Sequence, residues 1–290
     1  MKIESYINFL KRDINRTLER IITYSDKKIY RALRYTILNT GKRLRPILML
    51  VTFDALGGKI NKDILKTATS IELIHNFSLI QDDLPCMDND DFRRGRPTVH
   101  KVFGEDIAIL TSDALLNEAY KIILDVDSFS PHLKIKIINE IILAVDRLIS
   151  GQRRDLELVK NKGITPLELE DIYFHKTSAL IIASVKIACL ILDTKQDILN
   201  KLTSFAYKFG ISFQIVDDIL NITSNNKRFL GKRFTDRKKN KITYVSLCGL
   251  SNAKKRAEEL ILTAKKDIKN LKIKKEILFY LCDFILKRTY

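Results

Sequence analysis

Turn-forming residues are scarce in this chain, with 10 glycines and 5 prolines among 290 residues. That scarcity argues against many short strands joined by tight turns and favours long helices. No secretory signal is expected at Met1 to Leu18, which interleaves Lys2, Glu4, Lys11, Arg12 and Asp13 with its apolar residues. The longest apolar stretch, around Ala179 to Leu192, is broken by Lys186 and falls short of the roughly 18 to 20 residues that span a bilayer. A soluble, cytoplasmic protein without stable membrane insertion is therefore expected. Cys86, Cys189, Cys248 and Cys282 are scattered and show no paired metal-ligand spacing, so they read as reduced and mostly packed thiols. Acidic residues are outnumbered, 35 against 51 Lys and Arg, for a net charge of +16. A basic surplus attracts phosphate. Here the lysines are spread along the chain among Ile and Asn, a bias that A+T-rich coding alone produces, so no nucleic-acid partner is expected and small phosphate-bearing substrates fit better.

The fold class expected is all-α, a single domain over residues 1–290 with long helices around a central cavity. Breaks are predicted near Thr40-Gly41, Leu84-Pro85, Gly95 to Pro97, Ser128 to Pro131, Asn161 to Pro166 and Thr223 to Asn240. A helix over Asn61 to Gln81 follows from Asn61 as cap and Ile64, Leu65, Ala68, Ile71 and Ile74 at helical spacing. It runs into Asp82-Asp83, and Pro85 should stop it. A second helix over Phe205 to Asn221 carries Phe205, Phe209, Phe213, Val216 and Leu220 as its apolar stripe, and it too bears a pair, Asp217-Asp218.

Adjacent carboxylates on apolar helices need compensation, because an unpartnered buried charge is costly. Surface exposure or salt bridges would supply it, but the surroundings suggest a chemical use. Asp88, Asp90 and Asp91 follow the first pair, then Arg93-Arg94-Gly95-Arg96. Mg2+ binds through one or two carboxylates and fills its shell with water and phosphate oxygens. Arginines offer forked donors to the same phosphates. Gln214, Asp217, Asp218 and Asn221 are spaced so that one helix face would carry them all.

On these residues the chain resembles the trans-isoprenyl diphosphate synthases over nearly its whole length. Asp82-Asp83-Leu84-Pro85-Cys86-Met87-Asp88, followed by Asn89 to Thr98, resembles the long form of the family's first aspartate-rich motif, found in bacterial farnesyl and plant geranylgeranyl enzymes. Gly41-Lys42-Arg43-Leu44-Arg45-Pro46 resembles the element that, with His75, holds isopentenyl diphosphate. Gly151-Gln152 with Asp155 is similar to a short polar element facing the cavity. His175-Lys176-Thr177 is similar to the lysine-threonine pair near the allylic diphosphate, and Phe213 to Asn221 to the second aspartate-rich motif. Gly231-Lys232 and Lys241 to Tyr244 are similar to the lysine elements of a loop that closes over substrate. Two departures stand out: Asn221 replaces the family's third aspartate, and the stretch from Lys232 to Lys241 is one residue short, lacking a glycine before Asp236.

The resemblance implies a homodimeric prenyl transferase that ionises dimethylallyl or geranyl diphosphate and joins the cation to isopentenyl diphosphate. Its metal ligands would be Asp82, Asp83, Asp88, Asp217 and Asp218, holding three Mg2+ per site. Arg93, Lys176 and Lys232 would stabilise the leaving diphosphate, Lys42, Arg45, His75 and Arg94 would hold isopentenyl diphosphate, and Thr177, Gln214 and Lys241 would complete the substrate contacts. Phe77, five residues before Asp82, would floor the pocket and favour farnesyl diphosphate. A geranylgeranyl synthase shares all the metal and phosphate residues. A terpene cyclase would not need the second diphosphate element, and a catalytically weak partner subunit would not need the intact set. No serine or cysteine elbow motif offers a protein nucleophile.

Overall fold

Residues 2–22, 26–38, 41–158, 163–223 and 242–288 are described by the structure, a computed structural model. Among them the chain runs α1 (Ile3–Ile21), α2 (Lys27–Ile37), α3 (Leu44–Ala55), α4 (Lys62–Asp83), the hairpin β1 (Phe92–Arg93) and β2 (Arg96–Pro97), α5 (Val99–Phe103), α6 (Glu105–Leu124) and α7 (Pro131–Glu157). It continues with α8 (Pro166–Tyr173), a π-helical segment (Phe174–Ser178), α9 (Ala179–Ile191), α10 (Gln196–Thr223), α11 (Tyr244–Cys248), α12 (Leu250–Ile268) and α13 (Glu276–Leu286).

The helix starts follow from local chemistry. The Asn61 side chain accepts from the Asp63 and Ile64 amides at 3.0 Å each, satisfying two donors that the first turn of α4 leaves open. Ser130 caps α7 ahead of Pro131, and Thr165 with Glu168 forms a capping box ahead of Pro166. The predicted breaks at Leu84-Pro85 and Ser128 to Pro131 fall at helix boundaries and that at Gly95 to Pro97 in the hairpin; Thr40, 161–162 and 224–240 lie outside the described residues, and the helix predicted from Phe205 begins earlier, at Gln196.

One expectation needs correction. The apolar run around Ala179 is part of a continuous 26-residue helix, Pro166–Ile191, because the π segment joins α8 to α9 without a break. By length and composition this helix could cross a membrane, but 67% of its most apolar window is buried inside the protein. It is the central core helix, packed by α3, α7 and α10, while α4 lies against α6 and α10 against α12. The buried apolar residues form one contiguous cluster. Such a core suits a helix that is apolar nearly all round.

Candidate active site

The first aspartate pair closes α4, and the chain then folds back on it. The Asp88 amide donates to the Asp82 carbonyl at 2.8 Å, bringing Asp88 to Asp82 across the intervening loop, and the Asp90 amide donates to the Asp83 carbonyl at 3.2 Å. Asn89 takes the left-handed conformation, at φ 50°, that this return requires.

The hairpin that follows separates two consecutive arginines. Arg94 and Gly95 form its turn with φ of 52° and 78°, both positive as a two-residue hairpin turn demands. Arg93, on the strand, forks onto Asp83, its Nε lying 2.8 Å from Oδ1 and 2.7 Å from Oδ2. Arg94, on the turn, reaches the basic element: a Cβ added to Gly41 would lie 2.7 Å from Arg94 Nη1. Tyr35 of α2 pins the hairpin by donating to the Pro97 carbonyl at 2.7 Å.

Within the basic element Arg43 is the anchor, which sequence reasoning did not single out. It is buried with φ 53°, its Nη1 donates to the buried Glu72 carboxylate at 2.6 Å, and its Nε donates to Asn15 at 2.9 Å. Arg45 Nη1 lies 3.3 Å from His75 Nε2. Burial, then the charges of Arg45, Arg94, Arg93 and Arg43, hold the imidazole pKa well below its usual value, so His75 is neutral at pH 7 and accepts from Arg45. Arg45 Nε is buried with no hydrogen-bond partner among the described residues. Loss of hydration, then the charge of Arg288, pushes Lys42 down to about 8, with Asp217 acting in the opposite direction.

Lys176 and Thr177 lie on the π segment, a wide turn that recurs at functional sites. Two helical glycines admit it. A Cβ on Gly151 of α7 would meet the Lys176 backbone nitrogen at 2.5 Å, and one on Gly210 of α10 would meet Ser178 Cα at 2.8 Å. Lys176 Nζ pairs with Asp155 at 2.5 Å, so the residues near Gly151 both admit and neutralise the segment. Both amide atoms of Gln152 are buried without a partner among the described residues.

The second aspartate pair divides. Asp217 is 27% exposed and pairs with Arg288, a buried residue near the C-terminus whose guanidinium lies 4.6 Å from the Phe213 ring centroid. Asp218 is 4% exposed. It accepts from Tyr173 Oη, from the Tyr244 amide at 2.9 Å and from Gln214 Nε2 at 3.2 Å. Burial pushes its pKa up to about 7, against the downward pull of those three donors. Thr177 Oγ1 donates to Gln214 Oε1 at 2.7 Å.

The five expected metal ligands differ in their protein contacts. Asp83 is engaged by Arg93 and Asp218 by Tyr173, Tyr244 and Gln214, so their oxygens serve protein donors. The expected common face also splits, with Asp217 directed to Arg288 and Asp218 into the interior. Lys232 and Lys241 lie outside the described residues, as does the short stretch between them. Phe77 is buried on α4 in the core cluster.

Among the described residues no group of three or more His, Cys, Asp or Glu side chains forms a ready metal cage. Mg2+ does not require one, since it takes one or two carboxylates at a time and completes its shell with water and phosphate. Asp82, Asp88 and Asp217 supply hard oxygens, and none of the three is fully buried, so the donor set fits Mg2+.

The sequence matches the polyprenyl synthetase family across residues 26–281. The chain belongs to that family. Polyprenyl synthetase relatives include a farnesyl diphosphate synthase of Bacillus subtilis (strain 168), 37% identical over 100% of this chain and 99% of that protein. A geranylgeranyl diphosphate synthase of Cyanophora paradoxa is 39% identical over 98% of this chain and 96% of its own. Among solved structures, a geranyltransferase of Helicobacter pylori, complexed with magnesium and isoprenyl diphosphate, superposes with a TM-score of 0.85 at 28% identity, covering 99% of this chain and 97% of that one. As a polyprenyl synthetase the chain is a prenyltransferase with the all-α architecture of these neighbours.

Proposed function

We propose that this prenyltransferase condenses dimethylallyl and geranyl diphosphates with isopentenyl diphosphate to give farnesyl diphosphate. The observation that carries a two-diphosphate reaction is the buried Arg45 Nε, which has no acceptor among the described residues, beside a neutral His75 and close to Arg94. A buried guanidinium N–H is costly to leave unmade, and an anionic substrate would satisfy it. That site is supplied from α3, α4 and the hairpin turn, apart from Lys176 and Thr177 on the π segment, so each diphosphate has its own cations.

In this reading Lys42, Arg45, His75 and Arg94 hold isopentenyl diphosphate with its double bond toward the second substrate, replacing a rare encounter by positioning. Asp82, Asp88 and Asp217 would hold Mg2+, which when bound neutralises charge on the departing diphosphate. Arg93 and Lys176 add fixed positive charge on the same side, strongest in effect as the C–O bond breaks. Proton loss from the new intermediate, to the released diphosphate, completes the product. No protein nucleophile is used.

Product length rests on Phe77. It precedes Asp82 by five residues, about 7.5 Å along the axis at 1.5 Å per residue, so its ring can close the cavity below the diphosphate end. The comparable identity to a geranylgeranyl synthase keeps a C20 product as the second reading. A homodimer is supported by the large apolar side chains that α6 and α7 leave exposed, Ile109, Leu110, Ile135, Ile142 and Ile149. The test is condensation of labelled isopentenyl diphosphate with each allylic primer, followed by chromatography of the products. A C15 product is expected, and Phe77→Ala should shift it toward C20 and longer. Mainly C20 product from the unaltered protein would overturn the chain-length assignment.

A further inference from the structure

We infer that Asp218 is a positioning residue, which sets the hydrogen-bond polarity of Thr177 rather than binding metal. This rests on the prenyl-transfer reading and deepens it. All three contacts to Asp218 come from groups that donate: the Tyr173 hydroxyl, the Tyr244 amide at 2.9 Å and Gln214 Nε2 at 3.2 Å. The ionised carboxylate accepts only, and the three donors that converge on it favour that form against the burial that disfavours it. Gln214 must therefore turn its NH2 toward Asp218, which leaves its Oε1 facing Thr177. Thr177 responds by donating its hydroxyl proton to Gln214 Oε1 at 2.7 Å.

The consequence is chemical. With its proton committed to Gln214, Thr177 Oγ1 presents lone pairs to whatever lies beyond it. A hydroxyl so fixed is a poor partner for a diphosphate oxygen and a good one for a carbon gaining positive charge. Asp218 thus determines, through the one intervening side chain of Gln214, that Thr177 favours the allylic cation. The same carboxylate ties the start of α11 to α8, and Tyr244 extends the connection by donating its hydroxyl to Glu170 at 3.1 Å. Glu170 in turn is forked by Arg256 at 2.8 and 2.9 Å. Asp218 is thereby held by α8, α10 and α11 together, which suits a group whose orientation matters.

Asp218→Asn tests this, because one carboxylate oxygen becomes an NH2 that opposes the NH2 of Gln214 and reverses the chain. Two measurements are made together. In the first, the single-turnover rate is compared for the unaltered protein, Asp218→Asn, Thr177→Val and the double variant. We expect Asp218→Asn to slow the reaction by about tenfold to 100-fold, the range over which removal of one transition-state contact begins to be felt. In the Thr177→Val background the same change should cost less than about twofold, since coupled residues are not additive. In the second, Mg2+ is titrated calorimetrically in the presence of inorganic diphosphate. Its affinity should stay within about twofold in Asp218→Asn and fall by more than tenfold in Asp217→Asn. Multiplicative rate losses, or a large loss of Mg2+ affinity in Asp218→Asn, would overturn the assignment. If that variant does not fold, Gln214→Met, which breaks the link between Asp218 and Thr177 while keeping the carboxylate, runs both measurements with the same expected pattern. Should the unaltered protein make no condensation product, the prenyl-transfer reading fails while the Mg2+ titration still decides whether Asp218 is a metal ligand.

Discussion

The two aspartate pairs solve one geometric problem by different means. Adjacent residues on an α-helix point about 100° apart, so neighbouring carboxylates cannot both face the same ligand. At the end of α4, Asp83 turns to Arg93, ten residues on, while Asp82 is met by the backbone of Asp88. On α10, Asp218 turns inward to Tyr173 and Tyr244, 45 and 26 residues away, while Asp217 meets Arg288, 71 residues away. In the proposed reading one member of each pair is tied to the scaffold and the other holds metal. The first pair is organised by its own loop and hairpin, whereas the second depends on three distant parts of the chain. On that reading a doubled aspartate need not mean doubled ligation.

The sharpest way to break this comparison is to remove the two aspartates assigned to the site. Asp82→Ala and Asp217→Ala should each lower turnover by about 1000-fold or more, because charge stabilisation of a leaving group is the largest single contribution available here. The helical circular dichroism should persist, as neither side chain is part of the apolar core. If folded Asp82→Ala and Asp217→Ala proteins retained turnover within tenfold of the unaltered chain, the division of roles would be wrong.

A smaller effect is expected from the glycine that admits the π segment. In Gly151→Ala the new methyl would lie 2.5 Å from the Lys176 amide nitrogen, a contact with backbone that no side-chain rotation relieves. The segment must shift, at a cost of about 1–3 kcal/mol as in other overpacked interiors. Turnover should fall by about tenfold to 100-fold through displacement of Lys176 and Thr177, since misplacement of about 1 Å can cost 100-fold. Thermal melting and single-turnover rates together check this. A stable protein with an unchanged rate would show that the π segment tolerates movement.

Legibility followed the same division between near and far. The α4 cap at Asn61, the stop near Pro85 and the proximity of Arg93 to the first pair are all local and were readable from spacing. Arg288, Tyr173 and the inward turn of Asp218 were not, because no sequence interval links residues 45 to 71 positions apart. The π segment left a fainter signal. Gly151 and Gly210 stand inside long helices of a glycine-poor chain, where each costs about 1 kcal/mol relative to alanine, and such positions usually mark a close approach. The apolar run at Ala179 looks too short in sequence because no sequence window shows that the π segment joins two helices.

The basic element gives a pH test of similar directness. Lys42 is pushed down to about 8, so in the free protein it loses its charge as pH rises through that value. Affinity for isopentenyl diphosphate should then weaken between pH 7 and pH 9, by up to about tenfold, the ratio set by one ionisation over one pH unit beyond its pKa. Lys42→Arg keeps its charge throughout this range and should flatten the profile. The Michaelis constant for isopentenyl diphosphate, measured with allylic substrate saturating, reports it. Parallel profiles for the two proteins would remove Lys42 from that site.

The least expected effect separates the two pairs most cleanly. Arg288 is 4% exposed, pairs with Asp217 and lies over the Phe213 ring, so it sits where a cation at the second pair would also be drawn. Any Mg2+ that takes Asp217 competes with this guanidinium, and the competition raises the metal concentration needed. Arg93 differs, because it holds Asp83 rather than the carboxylate assigned to metal. Arg288→Gln should therefore lower the Mg2+ concentration for half-maximal binding by about threefold, the scale of a partly exposed ion pair worth less than about 1 kcal/mol. Arg93→Gln should leave that concentration the same or raise it, since it frees Asp83 without uncovering Asp82 or Asp217. Calorimetric titration with Mg2+ and inorganic diphosphate separates these outcomes without relying on turnover. A lower requirement in Arg93→Gln and none in Arg288→Gln would reverse the roles assigned to the near and the distant arginine.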